Sequence, residues 1–149
     1  MPAEERARLE SALARFVAWL DDFGETSFDH QSWYAGPIGG AAKALYYRRR
    51  LLGTAAVAPM VLGEALLPAT RTLFWKKQRF PIADAHYAMG FARLARATGE
   101  DRHRARAVHF LAVLEATRAP GWQRHGWGYP FDWVTRTGVM KAGTPLITS

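Results

Sequence analysis

Between Pro81 and Arg118 the sequence has room for little except two antiparallel helices. Proline at position 81 suits a first helical turn, where its missing N–H costs nothing and its fixed φ is already helical. From there Ala83, Tyr87, Gly90, Phe91 and Leu94 recur at three- and four-residue steps, so they share one face up to about Ala97. "TGED" then makes a turn with Gly99 as the stop, and a second helix is predicted from about Arg102 to Arg118, closed by Pro120 and Gly121. So short a turn forces the two helices to lie antiparallel, as an αα-hairpin.

The rest of the chain is read around that unit. Ala3 to Phe23 is predicted as an amphipathic helix with Leu9, Leu13, Phe16, Val17 and Leu20 on its apolar face, acidic Glu4 and Glu5 in its first turn, and Gly24 as its stop. "ETSFDHQSWYAGP" breaks every period and reads as a loop, and a further helix is predicted over Ile38 to Leu52. "TAAVAPMVLGEALLPA" is more apolar still. With Leu51 and Leu52 it approaches the length of a short membrane span, and "RRR" precedes it as a cytoplasmic flank does. Gly53, Pro59, Gly63 and the ionisable Glu64 argue instead for a buried or partly buried helix. "RTLFWKKQRFP" is a basic, aromatic connector, and no strand pattern precedes the last stretch. The predicted class is all-α, built of αα-hairpins.

The closing "TRTGVMKAGTPLITS" reads as apolar and unpaired. A lone αα-hairpin with long aromatic loops cannot bury both its faces, and hairpin arrays need neighbouring repeats. Residues 1–149 are therefore expected to be the N-terminal part of a single larger domain, or else to need a partner.

Composition removes several kinds of chemistry. The chain has no cysteine, so disulfides, thiolate metal sites and cysteine nucleophiles are excluded. His103 and His109 have the wrong step for one helical face, and "GPIGG" has no strand before it, so neither a metal nor a phosphate-bound cofactor is expected. A net charge of +7 and a pI near 10.2 favour polyanionic partners over acidic ones, or reflect no more than a solvated basic surface. "YYRRR" and "FWKKQR" belong to no groove-entering motif, so nucleic acid is not the expected partner. Peripheral contact with an anionic membrane stays open. "MPAEERARLE" is charged where a leader would be apolar, which fits a cytoplasmic setting.

Chemistry concentrates in "GWGYPFDW", Gly126 to Trp133. Sugar rings present flat C–H faces and a rim of hydroxyls; aromatic rings stack on the first, and carboxylates accept from the second or act as acid and base. Trp127, Tyr129 and Trp133 are candidate platforms, and Asp132 is the candidate catalytic carboxylate. Burial among aromatics would favour its protonated form, as a general acid requires. The alternative is a kinked architectural loop in which Asp132 caps backbone amides. Arg136, close behind, is read as its ion-pair partner or as a contact for an acidic sugar or phosphate.

Asp84 and His86 in "ADAH" lie near the start of the helix at Pro81, on the side to which the octet loop must return. Two apart on a helix, they diverge. Asp84 is read as a dipole-stabilised cap residue or a second carboxylate, His86 as an interior histidine or a second titrating group. Asp29, His30 and Trp33 in "FDHQSW" form a weaker group of an acid, a base and a stacking ring.

"FDHQSW", "ALYYRRRLLG", "FPIADAHYAMGFARLARATGE" and "GWGYPFDW…AGTPLITS", in that order, resemble an uncharacterised bacterial family. Its members have an α/α-toroid, six-hairpin-glycosidase-like architecture and are often found among polysaccharide biosynthesis proteins. The resemblance runs from about Phe28 onward, and "GWGYPFDW" and "GTPLIT" are its most specific blocks. It implies a toroid that continues past "GTPLIT", the missing remainder of which would be this chain's first partner. It also implies a glycan or sugar ligand. One position departs: a polar residue follows the octet in the family, where Val134 stands here. The expected function is thus carbohydrate-active or carbohydrate-binding, by hydrolase, lyase or epimerase-like acid/base chemistry, or as a non-catalytic scaffold or glycan-binding module.

Overall fold

The computed structural model describes residues 2–29, 32–121 and 125–146. The chain is all-α in class: α1 Ala3–Phe23, α2 Ser32–Ala35, α3 Pro37–Arg48, α4 Arg50–Leu66, a 3-10 turn Pro68–Thr70, α5 Arg71–Phe74, α6 Pro81–Thr98 and α7 Asp101–Ala116. Among the described residues a single antiparallel pair of two-residue strands, β1 Trp133–Val134 and β2 Val139–Met140, follows the helices.

The predicted hairpin is α6–α7. Gly99 ends α6 in the left-handed conformation at φ 72°, and its N–H bonds the Ala95 carbonyl at 2.9 Å. Ala88 and Phe91 from α6 meet Ala107 and Phe110 from α7, and Leu20 of α1 completes this core. Phe91 and Phe110 lie parallel with centroids 5.9 Å apart, and Tyr87 leans on Phe110 at 5.2 Å. α1 runs antiparallel to α6: Phe16 meets Tyr87, while Leu13 faces Leu94 across the groove between the two helices. Of its predicted apolar face, Leu20 is buried and Leu13 and Val17 are half-buried, while Leu9 and Phe16 are exposed. In this register Leu9 lies opposite the end of α6, where the hairpin turns away and leaves it uncovered.

A second αα-hairpin, α3–α4, was not apparent as such. The continuous helix expected over Ile38 to Leu52 breaks at Arg49, whose φ of −139° and ψ of 88° are not helical. No glycine or proline marks this break. Its cause is tertiary: a side chain on Gly53 would overlap the Tyr46 backbone, so the absent Cβ lets α4 fold back onto α3 after one joining residue. α4 then continues through Pro59, which leaves the Ala55 carbonyl without its helical donor.

One further expectation holds and one is corrected. The segment after Gly53 is a partly buried helix: Ala56, Val57, Ala58, Met60, Gly63 and Glu64 are half-buried, while Leu62 and Leu66 are exposed. The C-terminal stretch is paired, not unpaired: it returns along the octet as the second arm of a hairpin. No helix among the described residues is long and apolar enough to cross a membrane.

Candidate functional site

"GWGYPFDW" and "AGTPL" are the two arms of one structure. The Leu146 N–H bonds the Trp127 carbonyl at 3.3 Å and the Gly143 N–H bonds that of Tyr129 at 2.9 Å; Trp133 then pairs with Met140, and Val134 with Val139. Each pair keeps nearly the same register, so the arms run antiparallel from residue 127 to residue 146 although only four residues have regular strand geometry. Glycine is required where they touch most closely. A side chain on Gly128 would overlap the Thr144 carbonyl, and one on Gly126 would press on Pro145 at 3.0 Å. At the turn the Thr135 hydroxyl and N–H both bond the Gly138 carbonyl, at 2.9 and 2.8 Å.

Asp132 fastens the arms together. Its Oδ1 accepts the Ala142 N–H at 3.0 Å and its Oδ2 accepts Lys141 Nζ at 2.7 Å. The Lys141 bond, with the Ala142 amide behind it, holds the carboxyl below its ordinary range. This reverses the expectation of an acid kept protonated by aromatic burial. The aromatics pack on one another, and Asp132 turns aside from them toward the opposite arm. Arg136 is not its partner: it is exposed at the hairpin turn, beside Tyr47 and Arg48 of α3.

The sign of the pH dependence follows. Because the folded value is depressed, the Asp132 contribution is present above the ordinary carboxylate range and is lost as pH falls through the lowered value. Asp132→Asn should therefore flatten the acid limb of a plot of Tm against pH and leave the neutral limb parallel to wild type. An unchanged acid limb would show that the arms are held otherwise.

The aromatic side chains form a chain of contacts. Phe131 is buried edge-on against Phe80 at the start of α6, with centroids 6.3 Å apart. Tyr129 stacks on Phe131 at 5.3 Å and meets Trp133 edge-on at 4.9 Å. Trp133 then faces Lys43 of α3, whose Nζ lies 5.7 Å from that ring and 5.4 Å from the ring of Tyr34 in α2. Desolvation here pushes the Lys43 ammonium down and the Tyr34 phenol up. Tyr34, Tyr129 and Trp133 are all half-buried. Trp127 stands apart: its indole N–H bonds the Leu114 carbonyl at 2.7 Å, satisfying one of the orphan acceptors at the end of α7.

The other candidates are dispersed. The octet does return to the start of α6, through Phe131 on Phe80, but Asp84 and His86 do not join it as chemical partners. Asp84 is wholly buried and makes no cap bond; both its oxygens accept from Arg79 Nε, at 3.1 and 3.0 Å, and Arg79 also bonds Glu25. His86 is exposed and borders the groove against Leu13 and Phe16 of α1. The interior histidine is His103, stacked on Phe91 at 6.0 Å. Trp33 donates its indole N–H to Glu64, which also pairs with Arg71, and it borders a groove of about 820 Å³ between α3 and α4. Asp29 is half-buried in the segment before α2, and His30 lies outside the described residues. Among the described residues no group of three or more His, Asp or Glu converges as a metal site.

Lys43 and Tyr34 were the residues missed. The available signal was a single cation inside the otherwise apolar "PIGGAAKALYY", an uneconomical place for a charge unless a ring system receives it. No protein-family model matches the chain, and neither a curated protein nor a solved structure is significantly similar to it.

Proposed function

We propose that this chain is a glycan-binding module of α/α-toroid type, acting in polysaccharide metabolism or cell-surface polysaccharide assembly. The carrying observation is Lys43, held between the rings of Tyr34 and Trp133 where the aromatic hairpin meets α2 and α3. Half-exposed rings offer flat faces to sugar C–H surfaces, and the ammonium offers a donor to hydroxyl or carboxylate oxygens at the rim. The order of blocks resembling the toroid family points to the same ligand class.

Binding is favoured over catalysis by the state of Asp132. The Lys141 ammonium and the Ala142 N–H already engage both its oxygens within the hairpin. His86, the intended second group, opens toward α1.

Titration with neutral and uronic-acid-containing oligosaccharides tests this reading. Trp133→Ala should weaken binding about tenfold or more, equivalent to about 1.4 kcal/mol. Lys43→Gln should weaken the acidic ligands selectively, and Asp132→Asn should leave affinity near wild type. Full affinity in a folded Trp133→Ala protein, checked by circular dichroism, would reject the platform. Sugar turnover abolished by Asp132→Asn would replace the module with an enzyme.

A further inference from the structure

We infer that α4 lies on the surface of an anionic bilayer, with Arg48, Arg49 and Arg50 at its headgroup edge. The helix is 17 residues long, about 25 Å at 1.5 Å per residue. Leu51, Leu52, Val61, Leu62 and Leu66 are all exposed, Leu51 to 89% and Leu66 to 73%. At about 3.6 residues per turn these positions cover one continuous half of the helix surface. The other exposed positions within that half are alanine, proline and Thr54, so it carries no charge at all. Thr54 turns its hydroxyl inward to the Arg50 carbonyl at 2.8 Å.

Charge decides which occupant suits this face. The one acidic residue of α4 is Glu64, on the opposite side, where Trp33 and Arg71 engage its carboxylate. Arg48 at the end of α3, Arg49 at the joint and Arg50 at the start of α4 are all exposed, and among the described residues no carboxylate pairs with them. Exposed Tyr47 stands beside them, an amphipathic ring of the kind that settles at headgroup level. An aliphatic face with a basic edge and no acid is what an interfacial helix needs: apolar area for the acyl boundary and cations for anionic headgroups. A protein partner would more characteristically meet aromatic anchors inside a polar rim. The helix is too short and too interrupted to span, so it lies in the plane of the surface.

Co-sedimentation of the whole chain with vesicles tests this. Vesicles of phosphatidylcholine and phosphatidylglycerol should retain the protein, and pure phosphatidylcholine should retain about tenfold less or lower still. High salt and the triple change Arg48→Gln, Arg49→Gln, Arg50→Gln should each release it. Leu62→Glu with Leu66→Glu places charge on side chains already in water, so the fold should persist while binding is lost. Absence of binding to the anionic vesicles, or equal binding by the double-glutamate protein, would overturn the proposal. So would a wild-type dimer in solution that the same double change dissociates, since a second copy would then own the face.

Discussion

Asp84→Ala is expected to destabilise the protein by about 3–5 kcal/mol, the loss seen when one member of a buried ion pair is removed. The carboxylate is wholly inaccessible, and Arg79 is its sole side-chain partner among the described residues. Removing it leaves the guanidinium, itself about a quarter exposed, with Glu25 alone. Glu25 is the first residue past the α1 stop, so the network Asp84–Arg79–Glu25–His109 ties the end of α1 to the start of α6 and to α7. Beside it, Ser27 and Gln78 exchange two backbone bonds at 2.9 Å. Urea denaturation gives the measurement. Asp84→Leu combined with Arg79→Leu should recover much of the loss, because it removes both desolvated charges and leaves Glu25 its bond to His109. A single variant within about 1 kcal/mol of wild type would mean the pair contributes no more than a surface contact.

The network also divides its response to acid. Burial pushes the Asp84 carboxyl up despite Arg79, so its own titration favours the folded state at low pH and withdraws that support as pH rises. Glu25 behaves oppositely. Burial would raise it, but the bonds from His109 and Arg79 outweigh that and hold it low, so its contribution is lost as pH falls.

Phe110→Ala is expected to cost a comparable amount, about 3–5 kcal/mol, through loss of transfer energy and the cavity left behind. Phe110 has no exposed surface and touches Phe91, Tyr87 and His109 ring to ring. The core around it is small, so little can collapse into the gap. Leu20 shares this core, and its loosening should free the C-terminal half of α1. The expected sign is faster amide exchange in α1 together with the lower unfolding midpoint. Phe110→Leu should cost far less, since most of the volume remains. Equal losses for both changes would point to the stacked geometry with Phe91, not the volume, as the stabilising element.

Features with local causes were the ones legible in the sequence. Pro81 and Gly99 bracket α6 because a fixed φ and a left-handed stop are properties of single residues. The break at Arg49 was hidden because its cause sits four residues later, in the contact of Gly53 with Tyr46. Gly53 itself was visible, but it reads equally as a flaw in an apolar helix. The Trp127–Leu146 hairpin was hidden for a different reason. Its arms are held by scattered bonds and by Asp132, without the alternation of apolar and polar residues that announces a strand. Within the site, the return of the octet toward α6 followed from hairpin geometry alone. The roles of Asp84 and Asp132 did not, because each was decided by a cation, Arg79 or Lys141, that no spacing rule singled out.

The even register of the octet hairpin also determines where this chain can change its length. Residues 135–138 form a turn in which Arg136, Thr137 and Gly138 are exposed, and extra residues there would lengthen a loop without moving either arm. One residue added to or removed from either arm is a different event. It would carry Trp133 to the face now held by Val134, part Asp132 from Lys141, and bring a bulky residue under the carbonyl that only Gly128 can pass. Any gain or loss of residues tolerated in this region should therefore collect at the tip, and the tip is the natural point at which to splice in a reporter or a tether.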